Sequence, residues 1–141
     1  MRAVVLGVVL VGLGLGLGAC GDGDDRGALG PGPVTVEVEL RHSAFVPERV
    51  RVVEGSEVRF VVRNTDPIDH ELIVGPDEVH DRHERGTHAT HGAVPGEVSV
   101  AAGATAETTY RFDDPGTIVV GCHLPRHFGY GMAGEVEVVP A

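Results

Sequence analysis

Lysine is absent from this chain of 141 residues: all 11 basic side chains are arginine, set against 21 aspartates and glutamates. The formal net charge is −10 with neutral histidine. A surface of that sign argues against nucleic acid and anionic lipid as partners of the globular part, because both are densely negative. Cysteine is scarce as well. With only Cys20 and Cys122 present, at most a single disulfide is available. No long stretch has the apolar periodicity of a helix, which argues against a helical bundle. His-x-His pairs are missing too, although the chain has 8 histidines.

The first residues have a different character. Met1-Arg2 is a minimal positive start, Ala3 to Gly18 is an apolar run of Val, Leu and Gly, and Gly18-Ala19 closes it with small residues. This is the pattern of a secretory signal peptide over residues 1–19 rather than of a membrane span. Leu17-Gly18-Ala19-Cys20 resembles the bacterial lipobox. That likeness implies cleavage before Cys20 and lipid on its sulfur, with stable anchoring if more than one acyl chain is attached. The expected location is the bacterial cell envelope, tethered to a membrane on its extracytoplasmic side. Removing residues 1–19 removes Arg2 and no other charge, which takes the net charge from −10 to −11. Residues 20–33 are Gly-, Asp- and Pro-rich and read as the lipidated cysteine and a flexible tether. Gly21 to Pro33 would reach ~45 Å if fully extended. Residues 34–141 are enough for one domain.

From Val34 the period is two. Val34, Val36, Val38 and Leu40 alternate with Thr35, Glu37, Glu39 and Arg41, and Val58, Phe60 and Val62 continue the pattern after a turn at Glu54-Gly55-Ser56. Further strands are expected at Arg49–Val52, Glu71–Val74, Glu97–Val100, Thr105–Phe112, Thr117–Cys122 and Gly134–Val139. Turns are marked by Ala102-Gly103 and Asp113-Asp114-Pro115-Gly116. Seven to eight short strands of this kind predict an all-β, Greek-key sandwich. Gly75 to Gly96 breaks the pattern. It holds His80, His83, His88 and His91 in two His-x-x-His pairs, a spacing that puts both rings of a pair on one face of a short helix. The segment reads as a solvated, charged insertion, with a second metal site as the alternative.

The remaining stretch is the most informative. Gly121-Cys122-His123-Leu124-Pro125-Arg126-His127-Phe128-Gly129-Tyr130-Gly131-Met132 joins two expected strands and sets a thiol, an imidazole and a thioether at spacings of five and five. Cys, His and Met together favour copper over zinc or the hard cations. A His₂Cys site with a weak axial Met lacks one imidazole, which His70, at the head of another strand, can supply. His123 is the rival to His127. If Cys122 points inward at the end of a strand, its neighbour should point the other way, so His127 is the expected ligand. His42 lies between strands and reads as surface.

The loop resembles the copper loop of the cupredoxins, the small blue-copper electron carriers. The Cys122–His127–Met132 spacing is similar to that of rusticyanin- and sulfocyanin-type members. The likeness extends over Pro47-Glu48-Arg49-Val50-Arg51-Val52, Gly55, Val58, Phe60 and the His70 strand, roughly residues 34 to 139. It implies one copper ion alternating between Cu(I) and Cu(II), held by His70, Cys122, His127 and Met132. It also implies an amide bond from Glu71 to the Cys122 sulfur. A docking face would be formed by Leu124, Pro125 and Phe128 around the edge of His127. Multicopper oxidases and copper nitrite reductases carry a histidine immediately before the cysteine, where this chain has Gly121, and the former also carry His-x-His pairs. A dinuclear site would need a second cysteine in the loop. The expectation is therefore a monomeric, non-enzymatic, membrane-tethered electron carrier that exchanges electrons with a c-type cytochrome or an oxidase subunit. The alternative is a copper delivery, storage or buffering protein.

Overall fold

Val36, Val38 and Leu40 turn inward and are buried, while Glu37 and Glu39 between them face out, and the chain is thereby committed to a half-buried strand. The computed structural model describes residues 27–86, 91–92 and 94–141. The expected signal peptide, Cys20, residues 21–26 of the tether and His88 lie outside these residues. Nine strands are formed among the described residues: β1 (Pro33–Leu40), β2 (Phe45–Val46), β3 (Arg49–Val53), β4 (Ser56–Asn64), β5 (His70–Gly75), β6 (Glu97–Val100), β7 (Thr105–Phe112), β8 (Gly116–Gly121) and β9 (Ala133–Val139). One helix, α1 (Asp77–Glu84), follows β5. The strand beyond the expected set is the two-residue β2, too short to show any period.

Two sheets are stacked, with strand orders β2-β1-β4-β7 and β3-β9-β8-β5-β6. The pairs β1–β4 and β3–β9 are parallel, and the others are antiparallel. Phe60, Phe112, Leu40, Leu72, Val52 and Val58 fill the space between the sheets. Opposite charges face each other on the outside: Arg51 and Glu137 are register partners in β3–β9, and Nε of the one is 2.8 Å from Oε2 of the other.

Strand β5 departs from alternation because all six of its residues are buried. Leu72 and Val74 belong to the core. Glu71 and Ile73, which alternate with them, lie on the opposite face, the side on which α1 packs. Helix and strand meet closely: a methyl group at Gly75 would lie 2.9 Å from Val79 Cγ2. Asp77 and Glu78 in the first turn of α1, and Arg82 and His83 in its last, suit the helix dipole. His80 and His83, three apart, both turn inward and are buried. The insertion is therefore not a solvated one at these positions. It is a lid on the sheet.

Candidate metal centre

His70 opens β5 and is 1% exposed. Cys122 follows directly on β8 and is fully buried. The chain then makes a loop before β9, and backbone bonds hold that loop to itself. His127 N donates to Leu124 O (2.9 Å), Met132 N to His127 O (3.0 Å) and Cys122 N to Met132 O (3.2 Å). Gly131 takes a φ of +98° at the end of a 3₁₀ turn, Phe128–Tyr130, a conformation that suits glycine. Gly121 has a different reason. A Cβ there would strike the Phe128 ring at 2.7 Å, so this loop has no room for a side chain before the cysteine.

The strand end and the loop bring three donor atoms together. Cys122 Sγ lies 3.3 Å from His127 Nδ1 and 4.0 Å from His70 Nδ1, and the two Nδ1 atoms are 3.2 Å apart. His70 Nε2 is 2.9 Å from Asp66 Oδ2. The proton therefore belongs on Nε2, and Nδ1 presents its lone pair to the cluster. Burial and the neighbouring His70 pull the His127 pKa below its ordinary value, which favours the neutral ring there. Two imidazoles and a sulfur converging in a buried space form a donor set that fits a soft or borderline cation. Burial pushes the Cys122 thiol up to about 11, while amides from Glu71 and Leu124 favour the thiolate. The bare protein thus keeps the proton, and a bound cation is what removes it.

Two of the three donors have a brace. The Glu71 amide donates to Cys122 Sγ at 3.4 Å, the bond that the family likeness implies. Asp66 is buried and receives the amides of His42 and Ser43, each at 2.7 Å. Those two residues take φ values of 55° and 53°, which aims successive N–H groups at one carboxylate. Burial works to raise the Asp66 pKa, but the amides and the His70 ring outweigh it and hold it below the ordinary value. Asp66 is fixed in turn by its own amide on Asn64 Oδ1 (3.0 Å), and Asn64 bonds the carbonyls of Ile68 and Val100. Sequence reasoning missed Asp66. The signal it carried was a carboxylate four residues before a candidate ligand.

His123 is directed away from the three donors, as its place beside Cys122 requires. It does not reach water, however: its side chain is 1% exposed, beneath α1. Its amide donates to Glu71 Oε1 (2.8 Å), its Nδ1 lies 2.6 Å from Glu84 Oε1 and its Nε2 lies 2.8 Å from His80 Nδ1. Phe128 is half-buried and stacks on His80 at 5.7 Å, and Leu124 is half-buried against the core. Pro125 is exposed, as is Tyr130 at 79%, an aromatic that sequence reasoning did not place on this face. Met132 is fully buried, with its backbone bonded to both Cys122 and His127. His42 is exposed, as expected.

Residues 33–139 match the family model of copper binding proteins, plastocyanin/azurin family. The copper-resistant cuproprotein CopI of Rubrivivax gelatinosus is 37% identical over 97 residues, which cover 67% of this chain and 59% of that protein. The chain thus spans about three fifths of the length of this relative. Among solved structures, the reduced auracyanin of Roseiflexus castenholzii superposes with a TM-score of 0.62 at 21% identity, over 75% of this chain and 97% of that one. The blue copper oxidase of Nitrosomonas europaea superposes with a TM-score of 0.56 at 18% identity, over 78% of this chain but only 39% of the oxidase. At these identities the structural likeness is one of fold.

Proposed function

As the chain belongs to the plastocyanin/azurin family of copper-binding proteins, we propose that it carries single electrons on one type 1 copper ion. The observation that carries this reading is the buried convergence of His70 Nδ1, His127 Nδ1 and Cys122 Sγ, with two of the three held from outside by Asp66 and Glu71. Bound copper supplies the Cu(I)/Cu(II) couple. Cys122, His70 and His127 would hold the ion, and the Met132 thioether would be a fourth, weaker ligand that tunes the potential. Braced donors change position little between oxidation states, which suits rapid exchange. The five-and-five spacing allies the loop with rusticyanin- and sulfocyanin-type members.

The ring of His127 is half-buried, so an edge of it is accessible beside exposed Pro125 and Tyr130. With Leu124 and Phe128, these residues make a small, largely apolar face, which suits brief docking of a c-type cytochrome or an oxidase subunit. The domain works as a monomer, exported and lipid-anchored through Cys20, and residues 20–33 let it stand off the membrane. It is not an enzyme: a side chain at Gly121, the position before the cysteine, would strike Phe128, and the sequence has no His-x-His pair for further copper.

Copper delivery or storage is the second reading, and the name of the Rubrivivax relative, a copper-resistant cuproprotein, favours it. Stopped-flow oxidation and reduction against cytochrome c, with copper assayed before and after, separates the two. Fast exchange with copper retained is the expected result. Slow exchange with stoichiometric transfer of copper to an acceptor protein or chelator overturns the carrier reading.

A further inference from the structure

A second group of donors lies between α1, β6 and the segment that enters β6. Glu97 is buried at the start of β6, and Arg82 holds its Oε1 at 2.9 Å. Its Oε2 faces two histidines, 3.1 Å from His91 Nδ1 and 3.4 Å from His83 Nε2. His83 Nδ1 lies 2.7 Å from the carbonyl of Val79, one turn back in the same helix. In the neutral ring that bond puts the proton on Nδ1 and leaves Nε2 as a bare lone pair. His83 is only 5% exposed, and among the described residues its Nε2 is the one buried side-chain nitrogen or oxygen with no hydrogen-bond partner. A lone pair and a carboxylate oxygen buried side by side are both electron-rich, and leaving them so is costly. A cation between them removes the cost.

His91 completes the set. Its Nε2 lies 3.4 Å from Glu71 Oε2, and its Nδ1 is turned toward Glu97. A carboxylate on the far nitrogen of an imidazole is the usual brace of a metal-binding histidine. The donor atoms of His83, His91 and Glu97 lie within 4.8 Å of one another. We infer that these three residues form a second metal site, separate from the copper centre, for a borderline divalent ion of the Zn(II) or Cu(II) class. Two imidazoles and one carboxylate are ligands of that class. The absence of sulfur disfavours Cu(I), and calcium and magnesium want a shell of oxygens. Three protein ligands leave a position open for water or for a donor from a partner. The two sites meet at Glu71, whose amide touches Cys122 Sγ and whose carboxylate touches His91.

The test uses the full chain with its first site filled by copper. Zn(II) is titrated in by calorimetry, and zinc and copper are then counted after gel filtration. The site predicts one further equivalent of zinc with copper still in place. His83→Gln and Glu97→Gln should each lose that equivalent and keep the blue band, which also reports that they are folded. In parallel, Zn(II) added to the reduced, diamagnetic protein should shift the ring resonances of His83 and His91, a readout that needs no variant. Replacing Zn(II) by Cu(II) tells which ion of the class binds more tightly. Failure of the wild type to take a further equivalent overturns the proposal, as do shifts confined to other histidines or equal uptake by both variants. The blue band reports the first site and the zinc stoichiometry the second, so the two readings fail separately.

Discussion

The main chain of Glu71 serves Cys122 while its side chain serves a different neighbour: the amide reaches the sulfur at 3.4 Å, and the carboxylate accepts the amide of His123 at 2.8 Å. Side-chain substitution can therefore remove the second bond without touching the first. Glu71→Gln should keep the blue colour. It also takes a negative charge away from the thiolate, which disfavours Cu(II), so the reduction potential should rise. Glu71→Ala additionally strands the His123 amide and should lower stability by about 1–3 kcal/mol. Redox titration and denaturant unfolding measure the two effects, and a potential unmoved in Glu71→Gln would contradict the first.

Asp66 sets the tautomer of His70 and is held by two amides from a turn 23 and 24 residues away. Asp66→Ala should weaken copper binding by about 10- to 100-fold, as loss of a partner behind a ligand does. It should also destabilise the fold, because the amides of His42 and Ser43 lose their acceptor. Competition with a chelator of known affinity gives the first quantity. Unchanged affinity would mean that the ring needs no brace.

The ligands separate by effect. Cys122→Ser should abolish the blue band, and His70→Ala or His127→Ala should open the site. His123→Ala should leave the colour but lower stability by about 1–3 kcal/mol, since it leaves His80 and Glu84 without a shared partner under α1. Met132→Gln should lower the potential with copper still bound, and Met132→Leu should raise it. A potential indifferent to both would remove Met132 from the axial position.

In the metal-free protein, burial pushes the Cys122 thiol from 9.0 up to about 11. Between those values the unfolded chain has lost a proton that the folded chain still holds. Stability from this group is thus complete below about pH 9 and is lost as pH rises through about 11. The loss is on the order of 2–3 kcal/mol. Unfolding of the metal-free protein at about pH 8 and pH 11 measures it, and Cys122→Ala should show a smaller drop. Copper uptake near neutrality should release the Cys122 proton, which a pH-stat records.

Lipidation is tested independently of the copper centre. Expressed with its N-terminus in a bacterial host, the chain should partition with membranes. Cys20→Ala should release it or block its processing. Membrane association that survives the change would require a different anchor.

Strands β1 and β4 were legible because one face of each meets water, so alternation appears in the sequence. The loop from Cys122 to Met132 was legible because its donors are close together in the chain and chemically unusual. The histidines of α1 were not. Surrounded by Asp, Glu and Arg, His80 and His83 look like surface residues, and nothing local states that the helix folds onto β5. Two glycines carried the information in a form that only the structure makes readable: Gly75 admits Val79, and Gly121 admits Phe128. Asp66 was hidden for a similar reason. Its task depends on the positive-φ turn at His42 and Ser43, a relation between distant segments rather than a motif.

The parallel pairing of β3 with β9 fixes when the copper centre comes into existence. Arg51 and Glu137, partners across that pair, are 86 residues apart, and Cys122 is 52 residues from His70. Such long-range pairings form late, because closing the intervening chain costs entropy before any contact compensates for it. The loop bearing Cys122, His127 and Met132 hangs between β8 and β9, so its far end is placed only when the last strand docks. As the chain emerges, N-terminus first, His70 appears long before the loop that bears Cys122, His127 and Met132, so the full donor set does not exist until that loop is placed. Completion of the donor set is therefore the closing event of assembly rather than its nucleus, and a chain truncated before β9 should bind copper more weakly than the whole domain.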